Sequence, residues 1–303
     1  MTPELSVIIP THNPRRDYLE RALDALRAQE LSTQRWELLV VDNASAKPLC
    51  GELDLSWHPH ARIIREEALG LTPARLRGIA EAQAPLLLFV DDDNVITPDY
   101  LERTMEIAKI HPNLGAWSGQ VLPEFEIPPP ADIEPFLHVL CIRELAADHW
   151  GNSSDTAKLP YGAGMCVRRN VAERYARCIA SSDNRIGLDR KGNSLASSGD
   201  LDLALTSMDL GLGTGLFRDL VVTHLIPARR LTKDYILRLI EDSAMGHYVF
   251  EEERQIPRPL VASRIDRLVA IYKLWRGTPM QKAVHSARVR GLRKAKMLLS
   301  SGT

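Results

Sequence analysis

The chain of 303 residues reads as an α/β fold, a mostly parallel central sheet with a C-terminal helical extension. Three observations predict it. Short apolar β-branched runs alternate with helical periodicity over the first half, the pattern of strands crossing through helices into a parallel sheet. Three of those strands end in polar loops, which is where open α/β sheets bind ligands. After the proline-rich stretch Pro123 to Pro135 the alternation is lost, and from Thr232 onward the pattern is helical and broken by Pro257, Pro259 and Pro279.

Leu5 to Pro10 opens the sheet. Asn13-Pro14 reads as an N-cap followed by a first-turn proline, with Leu19, Ala22, Leu23 and Leu26 on one face of the helix behind it. Glu37 to Asp42 is a second buried strand and Arg62 to Arg65 a weaker third. Thr72-Pro73 caps a helix reaching Gln83, Leu86 to Val90 is the next strand, and Thr97-Pro98 starts another helix. The second half is less regular. It holds a glycine-rich segment from Tyr161 to Met165, an acidic segment from Ser198 to Leu203 entering a short helix, and a strand-like run from Leu216 to His224.

Composition excludes several classes. Hydrophobic residues make up 45% and charged residues 25%, with a net charge of -1, so nothing attracts the whole chain to nucleic acid. No uncharged apolar run approaches the ~20 residues that span a bilayer. The start, Met1-Thr2-Pro3-Glu4, lacks a basic n-region and an apolar h-region, which predicts a cytoplasmic chain. Cys50, Cys141, Cys166 and Cys178 show no metal or disulfide spacing and read as reduced thiols. The near-zero total hides an asymmetry. From Arg254 to the end there are twelve Lys or Arg against one acid, a net of +11, which leaves -12 for the rest.

Asp91, Asp92 and Asp93 carry the strongest chemical signal. Carboxylates crowded on one turn raise each other's pKa unless a cation neutralises them. An acidic triplet taken at random is most often a solvated turn capping the next helix, but its place directly after a buried strand favours a bound ion. Oxygen ligands point to Mg²⁺ or Mn²⁺.

Five segments in order carry a resemblance: Ser6 to Asn13, Val40 to Ser45, Gly70 to Arg75, Phe89 to Asp93 and Gly199 to Leu203. Over residues 4 to 226 the chain resembles family 2 glycosyltransferases of the Rossmann-like GT-A fold. The resemblance implies a catalytic domain over 1–226, with a nucleotide-sugar-binding half 1–122 and an acceptor-side half 123–226, followed by a helical extension 227–303. It implies that Thr11, Asn13 and Asp42 hold the donor's base and ribose, that Arg75 lies near the base or diphosphate, and that Asp92 belongs to the donor site. Asp91 and Asp93 match the DxD pair and His224 a third ligand of Mn²⁺ or Mg²⁺. Asp200 matches the base that deprotonates the acceptor hydroxyl, while Gly162, Gly164 and Asp202 fall in the acceptor-side region.

The chain departs from that pattern at Gly199, where the family carries a glutamate, and at Leu76, where an asparagine often stands. On the residues alone, Asp200 and Asp202 read more readily as helix N-terminal charges, His224 as a hydrogen-bonded strand-end histidine, and the glycines as a tight turn. Trp117, Trp150 and Tyr161 read equally as core or as sugar-stacking faces.

The resemblance implies a single-displacement, inverting transfer of one sugar from a UDP- or GDP-type donor to a saccharide or lipid-linked acceptor, in polysaccharide or glycolipid assembly. The processive synthases' QxxRW segment is absent. The rival readings are an inactive nucleotide-sugar-binding scaffold and a nucleotidyltransferase. Met280, Ala283, Val284, Ala287, Ala295 and Leu298 form an apolar stripe on the basic tail. That stripe suits peripheral contact with an anionic membrane, or packing on the catalytic domain or on a second copy in a homodimer; both readings stay open at this level.

Overall fold

The computed structural model describes residues 2–257, 272 and 275–301. β1 (Leu5–Thr11), β2 (Trp36–Asn43), β3 (Ala61–Glu66) and β4 (Leu86–Phe89) pair in parallel in the order β3-β2-β1-β4. The near-continuous apolar sequences of β1, β2 and β4 follow from burial on both faces, whereas β3 is a half-exposed edge strand. α1 (Arg16–Arg27) lays Leu19, Leu23 and Leu26 on one face against Val7, Ile9 and Val40. α2 (Leu71–Glu81) covers the other, with Ala74 and Ile79 against Ile8, Leu39 and Val41. Two caps differ from expectation. Asn13 takes a left-handed conformation (φ 48°) and α1 is capped by Arg15; Gly70 caps α2, so Thr72 is buried inside the first turn.

The second half of the sheet is mixed rather than parallel. Its strands are β5 (Asn94–Ile96), β6 (Leu114–Phe125), β7 (His149–Gly151), β8 (Met165–Arg168) and β9 (Gly213–Ile226). β8 runs antiparallel to β4 and β6, β6 is parallel to β9, and β5 and β7 are antiparallel to β9. β6 runs straight through the 122/123 boundary, and Pro123 pairs with His224, so the exposed connection starts only after Phe125. α3 (Tyr100–Ile110) begins at Asp99, later than Thr97-Pro98, because β5 intervenes. α4 (Arg169–Ala180), α5 (Asp183–Ile186) and α6 (Gly199–Leu205) complete the layer over α2 and β8.

α7 (Lys233–Glu253) and α8 (Pro279–Ser301) pack together against the end of β9. The stripe predicted on α8 is largely used in that contact: Met280, Val284, Ala287 and Ala295 are at most 4% exposed, whereas Leu298 is exposed. Gly291 completes the seam, since a Cβ there would stand 2.1 Å from the Glu241 carbonyl oxygen of α7. Arg290 and Lys294 both reach the Glu241 carboxylate, at 2.6 and 2.5 Å. Interfacial insertion needs that apolar seam free, and here α7 covers it. The middle helical pattern of the tail lies largely outside the described residues. Among those described, no helix is long and apolar enough to cross a membrane.

Candidate active site

A cavity of about 310 Å³ opens at the carboxyl ends of β1 and β4, where parallel strands fan out from the point at which strand order reverses. Thr11, Asn13, Arg75, Asp91, Asp92, Asp93, Gly162, Asp200 and His224 all line it. Arg190, Arg229 and Arg230 join them from the second half of the chain.

The acidic turn follows β4 directly. β5 then pairs Asn94 opposite His224, and the Leu225 amide donates to the Asp93 carbonyl at 2.9 Å, so the turn and the end of β9 are locked side by side. The Asp93 carboxylate lies 3.0 Å from Arg230 Nη2 and 3.5 Å from His224 Nε2. Burial pushes Asp93 up, but Arg230 and His224 outweigh it and hold the carboxyl well below the usual range. Its neighbours move the other way. Burial and the Asp93 charge raise Asp91, and the same causes push Asp92 up to about 7 although the Thr11 hydroxyl donates to it.

The expected metal triad is therefore not assembled as a cage. Among the described residues no three His, Cys, Asp or Glu side chains converge to chelate an ion, because Arg230 supplies the positive charge beside Asp93. The surroundings nonetheless suit a divalent cation. Three carboxylates crowd one turn, two of them lifted by repulsion and burial, and the buried His224 Nδ1 has no hydrogen-bond partner among the described residues.

Asp200 stands in the first turn of α6 and lines the cavity at 6% exposure. Its Oδ2 accepts from the Gly162 amide and its Oδ1 from the Leu201 amide, both at 2.9 Å. Burial raises its pKa, against the pull of Arg75. Arg75, 3% exposed, pairs with Asp189 at 3.0 Å.

Three predicted site residues lie elsewhere. Asp42 is 1% exposed and absent from the cavity wall. Its Oδ1 accepts from the Ser45 amide, and its Oδ2 from the Leu49 amide and Arg65 Nη1, because the β2–β3 register sets it opposite Arg65. Gly164 (φ 68°) turns the chain into β8, and its carbonyl accepts from the Tyr100 hydroxyl at 2.7 Å; a Cβ there would meet that hydroxyl. Asp202 points away from the cavity into an ion cluster with Arg254 and Arg185 that fastens α6 to the end of α7. Of the aromatic residues, Trp117 is core and Trp150 stacks on Phe217 outside the cavity. Tyr161 lines the cavity, under the Arg143 guanidinium at 3.5 Å.

Asp189, Arg190, Arg229 and Arg230 escaped the sequence reading. A signal existed for the last two, a basic pair five residues beyond His224.

The mixed sheet, with its cavity at the carboxyl ends of β1 and β4, defines a GT-A fold. Residues 6–140 match the family model for Glycosyl transferase family 2, so this stretch of the chain is similar to that family of transferases. Over 104 residues it is 31% identical to glycosyltransferase AglE of Haloferax volcanii, covering 33% of this chain and 34% of that one. Over 103 residues it is 35% identical to succinoglycan biosynthesis protein ExoW of Rhizobium meliloti, covering 32% of each. The match thus spans about a third of the length of these relatives. A mannosyltransferase of Pyrobaculum calidifontis, solved with GDP-mannose and Mn²⁺, shares the fold with a TM-score of 0.58 at 18% identity, over 100% of this chain and 80% of that one.

Proposed function

We propose that the chain transfers one sugar from a nucleoside-diphosphate donor to an acceptor hydroxyl, with inversion at the anomeric carbon and with the help of a divalent cation. The observation that carries this reading is the joining, in one cavity, of a buried carboxylate on α6 with an acidic turn and several arginines. Asp200 takes the acceptor proton as the acceptor oxygen bonds to the anomeric carbon and the bond to the diphosphate oxygen breaks. Its backbone hydrogen bonds orient the carboxylate, and burial makes it a stronger base than a solvated aspartate. Arg190, Arg229 and Arg230 line the wall where a donor's phosphates lie in this reading, and Arg230 can exchange the Asp93 carboxylate for a phosphate oxygen. Asp91, Asp93 and His224 would hold Mn²⁺ or Mg²⁺, which when bound neutralises the departing diphosphate. Thr11 and Asn13 border the donor end of the cavity.

The donor is of the UDP or GDP type and the acceptor a saccharide or a lipid-linked saccharide. The name of the relative ExoW supports polysaccharide assembly, and the GDP-mannose in the Pyrobaculum structure supports a nucleotide-sugar donor. The test incubates the protein with a panel of UDP- and GDP-sugars and Mn²⁺ and identifies the products. Nucleoside diphosphate together with an inverted glycoside is expected. Release of inorganic diphosphate from a nucleoside triphosphate would make the chain a nucleotidyltransferase, and donor binding without turnover would make it a scaffold.

A further inference from the structure

Asp189 lies in the loop between α5 and α6, and nothing in its sequence neighbourhood marks it. Its carboxylate is 2% exposed and accepts three hydrogen bonds: from Thr72 Oγ1 and Arg75 Nη1 on Oδ2, both at 3.0 Å, and from the Gly199 amide on Oδ1 at 3.2 Å. Thr72 and Arg75 belong to α2, and Gly199 opens the helix that carries Asp200. One carboxylate therefore ties the two helices together beneath the cavity.

Gly199 makes this possible. A Cβ on residue 199 would stand 2.3 Å from Asp189 Oδ2 and 2.4 Å from its Cγ. A side chain at 199 and the carboxylate of residue 189 claim the same volume, so the chain offers a carboxylate there from one position or from the other. Across the cavity floor a second glycine leaves room for the guanidinium, since a Cβ on Gly162 would lie 2.5 Å from Arg75 Nη2 and 3.3 Å from Asp200 Cβ. Arg75 and Asp200 are thus near neighbours, yet the guanidinium pairs with Asp189 while Asp200 binds backbone amides.

We propose that Asp189 is a positioning residue: by holding the Arg75 guanidinium, it keeps Arg75 from pairing with Asp200 and leaves the Asp200 carboxylate free to take the acceptor proton. A buried guanidinium stripped of its partner is strongly destabilised and seeks another carboxylate. After Asp189, the carboxylate acting most strongly on Arg75 is Asp200. Capture by Arg75 would weaken Asp200 as a base, whereas the charge of Asp189 raises its basicity. The role given to Asp200 rests on the sugar-transfer reading; the placement of Arg75 does not.

The experiment compares wild type with Asp189→Asn, Asp189→Gly and the double variant Asp189→Gly/Gly199→Glu by steady-state kinetics and by crystal structures. In Asp189→Asn, kcat should fall about ten- to a hundredfold, as when a group that orients a reacting residue is removed. Donor KM should stay within about twofold, and Arg75 should be found on Asp200. The double variant returns a carboxylate to the vacated volume and should recover kcat relative to Asp189→Gly. Unchanged kcat in a folded Asp189→Asn, a loss confined to KM, or an Arg75 that does not move would overturn the proposal. If neither single variant folds, the double variant decides, because a folded double variant with a carboxylate on Arg75 and no activity also overturns it. An inactive wild type would sink the sugar-transfer reading, and the position of Arg75 in the crystal structures would still judge the positioning role.

Discussion

At Asp200 burial and hydrogen bonding pull in opposite directions. Two backbone amides and Arg75 favour the carboxylate, but desolvation wins and the pKa lies above the ordinary value. A carboxyl whose pKa is raised by folding stabilises the fold below its unfolded pKa, and that contribution is lost as pH rises through the folded value. Asp200→Asn should therefore raise the melting temperature at pH 7 to 8, and the gain should vanish as pH falls below the ordinary aspartate value, where Asp200 is protonated in the folded and the unfolded chain alike. The same substitution should retain donor affinity while turnover drops by about 10²–10⁴-fold, the usual worth of a positioned base. A loss of donor affinity with turnover preserved would place Asp200 in the binding pocket instead. Asp93 makes a sharper case, because it is the counter-ion of Arg230 as well as a metal-ligand candidate. Asp93→Asn should weaken nucleoside-diphosphate binding in Mn²⁺, yet leave it unchanged or tighter in EDTA, since Arg230 is then released toward phosphate. Calorimetry under the two conditions reads both signs, and full transfer activity of the variant at unchanged Mn²⁺ would end the metal assignment.

Among the elements, the short ones decide the geometry. β5 has three residues and no sequence signature, but its pairing with β9 is what brings Asp93 beside His224. β8, four residues long, joins the parallel half of the sheet to β6 and fixes the turn that carries Gly162. The seam between α7 and α8 depends on Gly291 in the same way. An added Cβ would meet a backbone carbonyl, which cannot swing aside, so Gly291→Ala should cost about 1–3 kcal/mol in overpacking. That exceeds the ~1 kcal/mol that alanine gains over glycine inside a helix, and the melting temperature should fall. Gly246→Ala in α7 is the control, since its Cβ would come no closer than 3.3 Å to a side-chain oxygen and should be tolerated.

For the whole molecule, the charge asymmetry and the apolar stripe left two readings of the tail. The structure buries most of that stripe against α7 and turns Lys282, Arg288, Arg293 and Lys296 outward. Truncation before Pro279 should uncover the apolar surface around Ile236, Leu239 and Ile240 and lower the melting temperature or promote association. A truncated chain that melts like the full one and keeps its association state would show that α8 contributes nothing to the fold.

Much of the fold was legible in the sequence because its signals are local. β1, β2 and β4 are buried on both faces and so read as unbroken apolar runs; α1 shows its buried face at helical spacing; and the acidic triplet stands out after β4. The same locality explains what escaped. Asp42 has the residue type and place of a donor ligand, but Arg65 across the β2–β3 register turns it to structural use. Asp202 stands two residues from Asp200 on α6, and Arg254, 52 residues further along, engages it outside the cavity. Gly199 reads in sequence as a lost carboxylate, and only the folded chain brings Asp189 into the vacated space. Residue types and their periodicity determined which strands and helices form and where charge is concentrated. Tertiary structure alone decided which carboxylate meets which arginine, because buried charges take the counter-ions that long-range packing delivers, whatever their distance along the chain.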